Sequence, residues 1–232
     1  MELEEALTTT GAVRSFTGEA VSDEVLFRVL DRARFAPSGG NRQAWRVVVV
    51  KDRATRGRLR DLYLEGWYEY LAISSAGLVP WAPITDRAAE HEAMAGAAAM
   101  AEQSANTYGG FAERLDDVPI LLVVLADLRA LAAVDRDHDR YTIVGGASIY
   151  PFAWSILLSA RQEGLGGVIT SMLVRREEAV LEALGVPDGF ALAAGIVLGY
   201  PEGRRPARLT RSVVGAFTTV DTFGGRPLDR QT

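Results

Sequence analysis

The chain has 232 residues, 48% of them hydrophobic, so it is long enough and apolar enough to build a substantial core. Its formal net charge of −5 argues against a general nucleic-acid-binding protein. It contains no cysteine, which excludes disulfides, thiolate metal sites and cysteine nucleophiles.

Targeting and metal signals are absent from the sequence pattern. No apolar run reaches the roughly 20 residues of a membrane-spanning helix, and the first residues are acidic where a secretory signal would be basic. His91 and His138 lie in polar segments without a partner at ligand spacing. We therefore expect a cytoplasmic protein with no metal, no nucleic acid and no membrane as partner. Lys51 is the only lysine among 25 basic residues, so arginine must meet any anionic ligand.

The first part of the chain predicts two helices. A short one ends at the threonine run 8–10 and Gly11. The second begins at Ser22, a preferred N-cap residue that is followed by acidic residues. The apolar residues of the second helix recur at helical spacing and predict a buried stripe: Val25, Leu26, Val29, Leu30 and Ala33.

A polar loop and a valine strand follow the second helix. Pro37 ends the helix, and the glycines after it allow a backbone to approach a ligand closely. The loop offers a hydroxyl, bare backbone and two amides, which suits a flat ligand with many heteroatoms, at Ser38, Gly39, Gly40, Asn41 and Gln43. An ordinary helix-to-strand loop has the same composition, and composition alone favours that plainer interpretation. In the run Trp45 to Val50 polar and apolar residues do not alternate. The run therefore predicts a central strand covered on both faces.

The segment 52–116 differs in character from its surroundings. An arginine-rich helix runs into a group of aromatic residues that includes Trp67, Tyr68 and Tyr70, and an alanine-rich helix follows over about 86–105. Amphipathic packing against the sheet is the plainer explanation for any single ring.

The second half predicts further strands and one unusual helix. Residues 118–125 read as a second central strand, and 135–140 as a solvated charged loop. The helix at about 148–161 is apolar nearly all round and must be buried on all sides, so we expect a large dimer interface. Gly164 is well placed as a C-cap before a strand that ends near Met172, and 193–199 is the last strand.

The motif Pro-Ser-Gly-Gly-Asn-x-Gln-x-Trp before a valine strand resembles the signature loop of the nitroreductase family, the FMN-dependent NAD(P)H oxidoreductases. The family usually has proline where this chain has Ala44. The resemblance covers residues 8–50, 145–172 and 193–214. It implies an α+β fold in an intertwined homodimer, with a mixed central sheet of four to five strands flanked by helices. Residues 1–232 would form one such domain, with a lid and substrate-specificity insertion around 52–116 and a C-terminal arm at 203–232.

The resemblance also implies which residues bind FMN. Where the family carries Arg-Arg-Ser-x-Arg-x-Phe, this chain keeps only Arg14 as a cation, so one phosphate arginine is lost. Residues past the middle of the third strand would present backbone amides to the flavin N5 and O4 edge, and many members have glycine in place of Met172. The partner subunit would contribute the Pro37–Asn41 loop. The implied cofactor-binding residues are Thr10, Gly11, Ala12, Arg14, Pro37, Ser38, Gly39, Asn41, Gln43, Ile169, Thr170, Ser171, Met172, Arg208 and Arg211.

A plainer interpretation stands beside the assignment of these arginines. Arg14 suits a surface salt bridge, and Arg204, Arg205 and Arg208 suit a solvated basic tail. By resemblance, Trp67, Tyr68 and Tyr70 would belong to the substrate lid.

The implied reaction carries hydride from NADH or NADPH through flavin N5 to a small organic acceptor of nitroaromatic, quinone or enone type, by a ping-pong scheme. No side-chain acid or base is required, and none is assigned.

One alternative is other flavin chemistry on the same scaffold: dehalogenation, azoline or enone oxidation-reduction, or flavin fragmentation, with Glu65 and Tyr68 or Tyr70 as candidate polar residues. A second is a non-catalytic flavin or small-ligand binder, suggested by the lost arginine and by Met172. A third, a structural interaction protein, leaves Ser38, Asn41 and Gln43 unexplained.

Overall fold

The computed structural model describes residues 1–105, 110–203 and 208–228. The predicted end of the alanine-rich helix beyond 105, the basic residues Arg204 and Arg205, and the last residues of the C-terminal arm lie outside the described residues.

Helices and strands alternate irregularly along the described chain. The helices are α1 (Leu3–Thr9), α2 (Asp23–Ala33), α3 (Arg53–Ser75), α4 (Arg87–Met94), α5 (Ala97–Ala105), α6 (Tyr150–Gln162) and α7 (Glu177–Ala183). The strands are β1 (Trp45–Val50), β2 (Ile120–Asp127), β3 (Gly166–Thr170) and β4 (Phe190–Gly199). Short 3₁₀ turns occupy Gly39–Asn41, Leu115–Asp117, Val144–Ser148, Met172–Arg176 and Val214–Ala216.

The strands form one four-stranded sheet in the order β1-β2-β4-β3, which confirms the predicted α+β class. Its directions correct the expectation of a mixed sheet, because all three neighbouring pairs are antiparallel. In the described chain, parallel pairing is confined to an isolated bridge between Ala12 and Gly167. The chain then continues from Ala12 to an antiparallel bridge between Phe16 and Pro201, so no continuous parallel strand forms.

The position of β1 corrects another prediction. The valine run is a strand, but it lies at the edge of the sheet and is only partly buried, whereas β2 is central and almost wholly buried. Alternate residues of β2 enter two separate apolar layers, with Leu122 and Val124 on one face and Leu121 and Val123 on the other.

Helices cover both faces of the sheet. On one face α2 and α6 pack together, and the rings of Trp45 and Phe152 stack with centroids 4.6 Å apart. The predicted Ser22 cap is confirmed, since its hydroxyl accepts a hydrogen bond from the Val25 amide. Glu163, just beyond α6, accepts hydrogen bonds from Arg28 and Arg32 of α2 at 2.7 and 2.5 Å, and thereby ties the two helices together.

The opposite face is covered mainly by the 52–116 segment. Helix α3 contacts α4, α5, α7 and the 3₁₀ turn after β3. It continues to Ser75, so the aromatic residues at 67–70 belong to the same helix as the arginine-rich start. The predicted helix over 86–105 is instead two helices, because α4 stops at Met94 and α5 begins at Ala97.

Helix α6 only partly meets the expectation of burial on all sides. Phe152, Ala153 and Ile156 are buried, but Tyr150 and Trp154 are exposed one turn apart. None of the helices in the described ranges is long and apolar enough to cross a membrane.

Candidate functional site

A cavity of about 610 Å³, the main cavity, lies between α3, the end of β3 and the residues just before the Leu115–Asp117 turn. Arg14 and the predicted segment Ile169–Met172 are among the lining residues. Trp67 and Tyr70 of α3 and Phe111 contribute aromatic surface. Three groups that are far apart in the chain therefore meet at one hollow: the predicted cation, the predicted strand segment and two of the predicted lid aromatics.

The strand segment is positioned by the close pairing of β3 with β4. Thr170 lies opposite Gly195, and Gly167 lies opposite Leu198. A Cβ atom added at Gly167 would lie 2.2 Å from the carbonyl oxygen of Val197, so this approach requires glycine. Beyond Thr170 the chain bends into the Met172–Arg176 turn, which places Ser171 and Met172 on the cavity wall.

Tyr63 is a site residue that the sequence interpretation missed. Its side chain is 3% exposed and its hydroxyl lies 3.0 Å from Oγ1 of Thr170. Burial raises the pKa of Tyr63, while the hydrogen bond to Thr170 opposes the change. The phenol is therefore protonated at neutral pH and able to donate. Its spacing of one helical turn before Trp67 is the signal that would have found it.

Trp67 and Tyr70, two of the predicted lid aromatics, line the cavity and belong to a row of ring contacts that continues to Trp81. Trp67 and Tyr70 have ring centroids 5.3 Å apart and nearly parallel planes, and Tyr70 is followed by Trp81 at 6.2 Å. Such pairs add stabilisation beyond area burial. Tyr68 is not among the residues that line this cavity. Burial, and then the nearby Glu113, raise the pKa of Tyr68, so its hydroxyl is directed to Glu113.

An ion-pair cluster joins α3 to the turn after β3. Arg176 pairs with Glu65 at 2.5 Å and with Glu69 at 2.8 Å, and Arg175 pairs with Glu69 at 3.0 Å. Burial opposes ionisation of Glu69, but its hydrogen bonds from Arg176 and Arg175 outweigh burial and lower its pKa. Glu65 therefore belongs to an ion-pair cluster that joins α3 to this turn.

A second, smaller cavity of about 180 Å³ lies at the other end of β3. Thr10, Gly11 and Ala12 line it, as the resemblance had grouped them. Leu209 of the tail and Arg161 of α6 complete its wall. The sequence interpretation did not single out Arg161.

The predicted loop 37–43 lies apart from both of these cavities. Pro37, Ser38 and Gly39 line a hollow of about 250 Å³ with Ser148, whose hydroxyl accepts from the Gly39 amide at 3.0 Å. Asn41 and Gln43 have positive φ angles of 52° and 50°. Non-glycine residues adopt this region at a cost, and such strain clusters at functional sites.

The sequence decides the family. The model of the nitroreductase family matches residues 8–200. The chain belongs to the nitroreductase family. Membership makes it a flavoprotein oxidoreductase, in agreement with the resemblance carried by the 37–45 motif.

Similar members of the nitroreductase family carry different names. A 5,6-dimethylbenzimidazole synthase from Rhodospirillum rubrum is 29% identical over 84% of this chain and 79% of its own length. An NADH dehydrogenase from Thermus thermophilus is 29% identical over 82% of both chains. A BluB-like flavoprotein from Clostridium difficile 630 has a TM-score of 0.65 over 94% of this chain and 98% of its own, at 20% identity. That structural likeness shows the nitroreductase fold alone.

The two tail arginines of this nitroreductase-family chain have different surroundings. Both Arg208 and Arg211 are exposed. Arg208 precedes Leu209, whose amide donates to the carbonyl of Thr8 at 2.7 Å, so the backbone at Arg208 runs beside the small cavity. The Arg211 guanidinium donates to the Thr210 carbonyl.

Proposed function

We propose that the chain is an FMN-dependent oxidoreductase that passes hydride from NADH or NADPH to a small organic acceptor of nitroaromatic, quinone or enone type. One observation carries this proposal. Arg14, the Ile169–Met172 segment and the aromatic residues Trp67 and Tyr70 line a single cavity of about 610 Å³. When bound, FMN supplies a ring that takes hydride at N5 from the nicotinamide and gives it to the acceptor in a ping-pong sequence.

The residues present fit this cofactor. Ligand pockets typically span about 300–1,000 Å³, with mostly apolar walls and a few polar groups that fix orientation. The main cavity has this size and mixture, since Leu71 and Val168 lie beside Arg14, Thr170 and Ser171. Arg14 supplies a permanent positive charge for an electron-rich ring edge.

The chain's own groups would hold and shield the ring. The backbone of Ile169–Met172 provides donors on a rigid strand end, and the Tyr63 hydroxyl fixes the Thr170 side chain behind it. Trp67 and Tyr70 would cover the open side, which excludes water and selects flat acceptors. In this proposal the 52–116 segment is the substrate lid, and Tyr68 supports it through Glu113.

The proposal includes a homodimer with a shared site. The loop 37–43 carries its polar groups and its strained backbone away from the main cavity of its own chain. The apolar residues Tyr150 and Trp154 of α6 and Phe217 and Phe223 of the tail are exposed, which is typical of interfaces. We assign the Pro37–Asn41 loop to the site of the partner subunit and the C-terminal arm to the dimer contact.

An absorbance spectrum of the purified protein tests the function directly. A flavin band that bleaches when NADH or NADPH is added without oxygen would support a reductase and identify the donor. A band that persists with both donors would contradict the nicotinamide step. Absence of a band after incubation with FMN would overturn the cofactor assignment. Light scattering coupled to gel filtration measures the dimer, and a monomer at micromolar concentration would contradict the shared site.

A second candidate function has one specific observation in its favour, the similarity to the Rhodospirillum rubrum synthase over 84% of this chain. The molecule in that protein's name contains a dimethyl-substituted benzene ring that carries nitrogen atoms on two adjacent carbons, a unit that flavin also contains. Flavin would then be the substrate and not a recycled cofactor. Chromatography after incubation with FMN, NADH and air separates the two functions, because only the second one yields 5,6-dimethylbenzimidazole.

A further inference from the structure

Arg161 is a charged residue in an unusually buried position. It lies in the last turn of α6 and is 9% exposed. Its guanidinium donates to Glu5 Oε1 at 3.2 Å, to Thr10 Oγ1 at 3.5 Å and to the Met1 sulfur at 3.0 Å. A buried cation requires compensation, yet the Glu5 side chain is 57% exposed and reaches Arg161 from the rim.

Arg161 also lines the small cavity. Thr10, the small residues Gly11 and Ala12, and Leu209 of the tail also line this cavity. A buried arginine fork, a hydroxyl and accessible backbone are the groups that bind a phosphate monoester. Residues 10–12 carry no charge of their own, so the charge of this wall comes from α6.

The small cavity lies at a distance from the main cavity that one ligand could span. Gly166 lines the small cavity and Thr170 lines the main cavity, and both belong to β3. Four residues of strand span about 13 Å. A ligand with a flat ring in the main cavity and a phosphate at the end of a flexible polyol chain would lie along this strand.

We infer that Arg161 binds the phosphate of FMN and that Glu5 is its counter-ion only when the phosphate is absent. The inference rests on the proposed function and deepens it, because it assigns the cofactor phosphate to a residue of α6. Glu5 would be displaced to solvent, where its carboxylate is already largely exposed.

A structural role is the competing explanation, since the Arg161–Glu5 pair also joins α1 to α6. Riboflavin distinguishes the two roles because it lacks only the phosphate. Dissociation constants of FMN and riboflavin for flavin-free protein, measured by quenching of flavin fluorescence, give a ratio that reports phosphate recognition alone. Thermal melts of each variant without flavin report the structural role.

The variant Arg161→Gln is expected to weaken FMN binding about 10- to 100-fold, the effect of one or two lost charge-assisted hydrogen bonds. Riboflavin binding should change by less than about twofold, a difference below the energy of one ordinary hydrogen bond. The matched control Arg58→Gln removes an exposed arginine paired with Glu182, and both affinities should stay at the wild-type value. An unchanged ratio of FMN to riboflavin affinity in Arg161→Gln would overturn the inference.

The variant Glu5→Gln keeps the test valid if Arg161→Gln does not fold. It frees Arg161 from its competing carboxylate, so FMN should bind several-fold more tightly while riboflavin binding is unchanged. Equal effects on both flavins, or no effect on either, would contradict phosphate binding by Arg161. Failure of the wild-type protein to bind either flavin would instead refute the proposed function.

Discussion

The Tyr63 hydroxyl lies 3.0 Å from Thr170 Oγ1 and joins the middle of α3 to the last residue of β3. Both residues line the main cavity. A part-buried hydrogen bond thus joins α3 to the strand end, next to the place where a bound ring would lie. Loss of this bond should therefore affect both the free energy of unfolding and the cavity that the two residues line.

Replacing Tyr63 with Phe should lower the free energy of unfolding by about 1 kcal/mol, because the Thr170 hydroxyl loses its partner in a buried place. Urea unfolding measures the change. Thr170→Val removes the other partner, and a double-mutant cycle should give a coupling of about 0.5 kcal/mol or more. Additive effects of the two substitutions would show that the bond contributes nothing. Tyr150→Phe, which removes an exposed hydroxyl that donates to the Ala193 carbonyl at 3.2 Å, should have a smaller effect.

Replacing Gly167 with Ala should destabilise the protein by about 1–3 kcal/mol, the usual cost of overpacking. The new methyl group would meet the Val197 carbonyl and the Leu198 side chain. Gly57→Ala is the matched control, since it lies within α3 with no atom within 4 Å of the added Cβ. The control should gain about 0.5–1 kcal/mol from helix propensity. Thermal melts of both proteins test the pair, and similar shifts would contradict the argument.

Because of Asp135, the free energy of unfolding should depend on pH in the acid range. The segment 135–140 was expected to be solvated, but Asp135 is 2% exposed. Its carboxylate accepts hydrogen bonds from the Ile143 amide at 2.8 Å and from Arg140 at 2.9 Å. The Ile143 hydrogen bond, aided by Arg140 and opposed by burial, lowers the pKa of Asp135 to about 2.

Because the folded pKa lies below the ordinary value of about 3.9, the stabilisation is complete above that value and disappears as the pH falls toward 2. Asp135→Asn should therefore be less stable than wild type at pH 7, with a difference that shrinks between about pH 5 and pH 2. Urea midpoints across this range measure the difference. A pH-independent gap between the two proteins would mean that the carboxylate charge is not responsible.

Replacing Trp67 with Ala should alter acceptor use. Loss of one stacked wall of the cavity should raise KM for a flat quinone about tenfold, a typical effect of losing a buried aromatic contact. Tyr68→Ala is the matched control from the same helix, because Tyr68 does not line the cavity, and its KM should change less. Steady-state kinetics with one quinone and both nicotinamides provide the data. Equal effects of the two substitutions would argue against the stacked wall.

Sequence patterns predicted the helices and strands themselves better than the positions of the strands within the sheet. The valine run of β1 shows that both faces of the strand are packed, with Val47 and Val49 on one layer and Val48 and Val50 on the other. It says nothing about how many strands lie beside it, so an edge strand was mistaken for a central one. Strand order depends on contacts between β2 and β4, which are distant in the chain.

The site residues were also predicted only in part from the sequence. The family motif grouped Arg14 with Ile169–Met172, and the structure brings them to one cavity. Tyr63 is marked only by its spacing of one helical turn before Trp67, and Arg161 has no local pattern that marks it. Tyr63 reaches Thr170 because α3 passes the end of β3, and Arg161 contacts Glu5 and Thr10, which are about 150 residues away in the chain.

The missing side chain at Gly167 also determines alignment along β3. A shift of β3 by one residue against β4 would bring Val168 to the place where an added carbon would be 2.2 Å from the Val197 oxygen, and it would turn every side chain to the opposite face. Thr170 would then point away from Tyr63. Gly167 therefore sets the register of β3 against β4. This register determines which atoms of β3 reach the cavity.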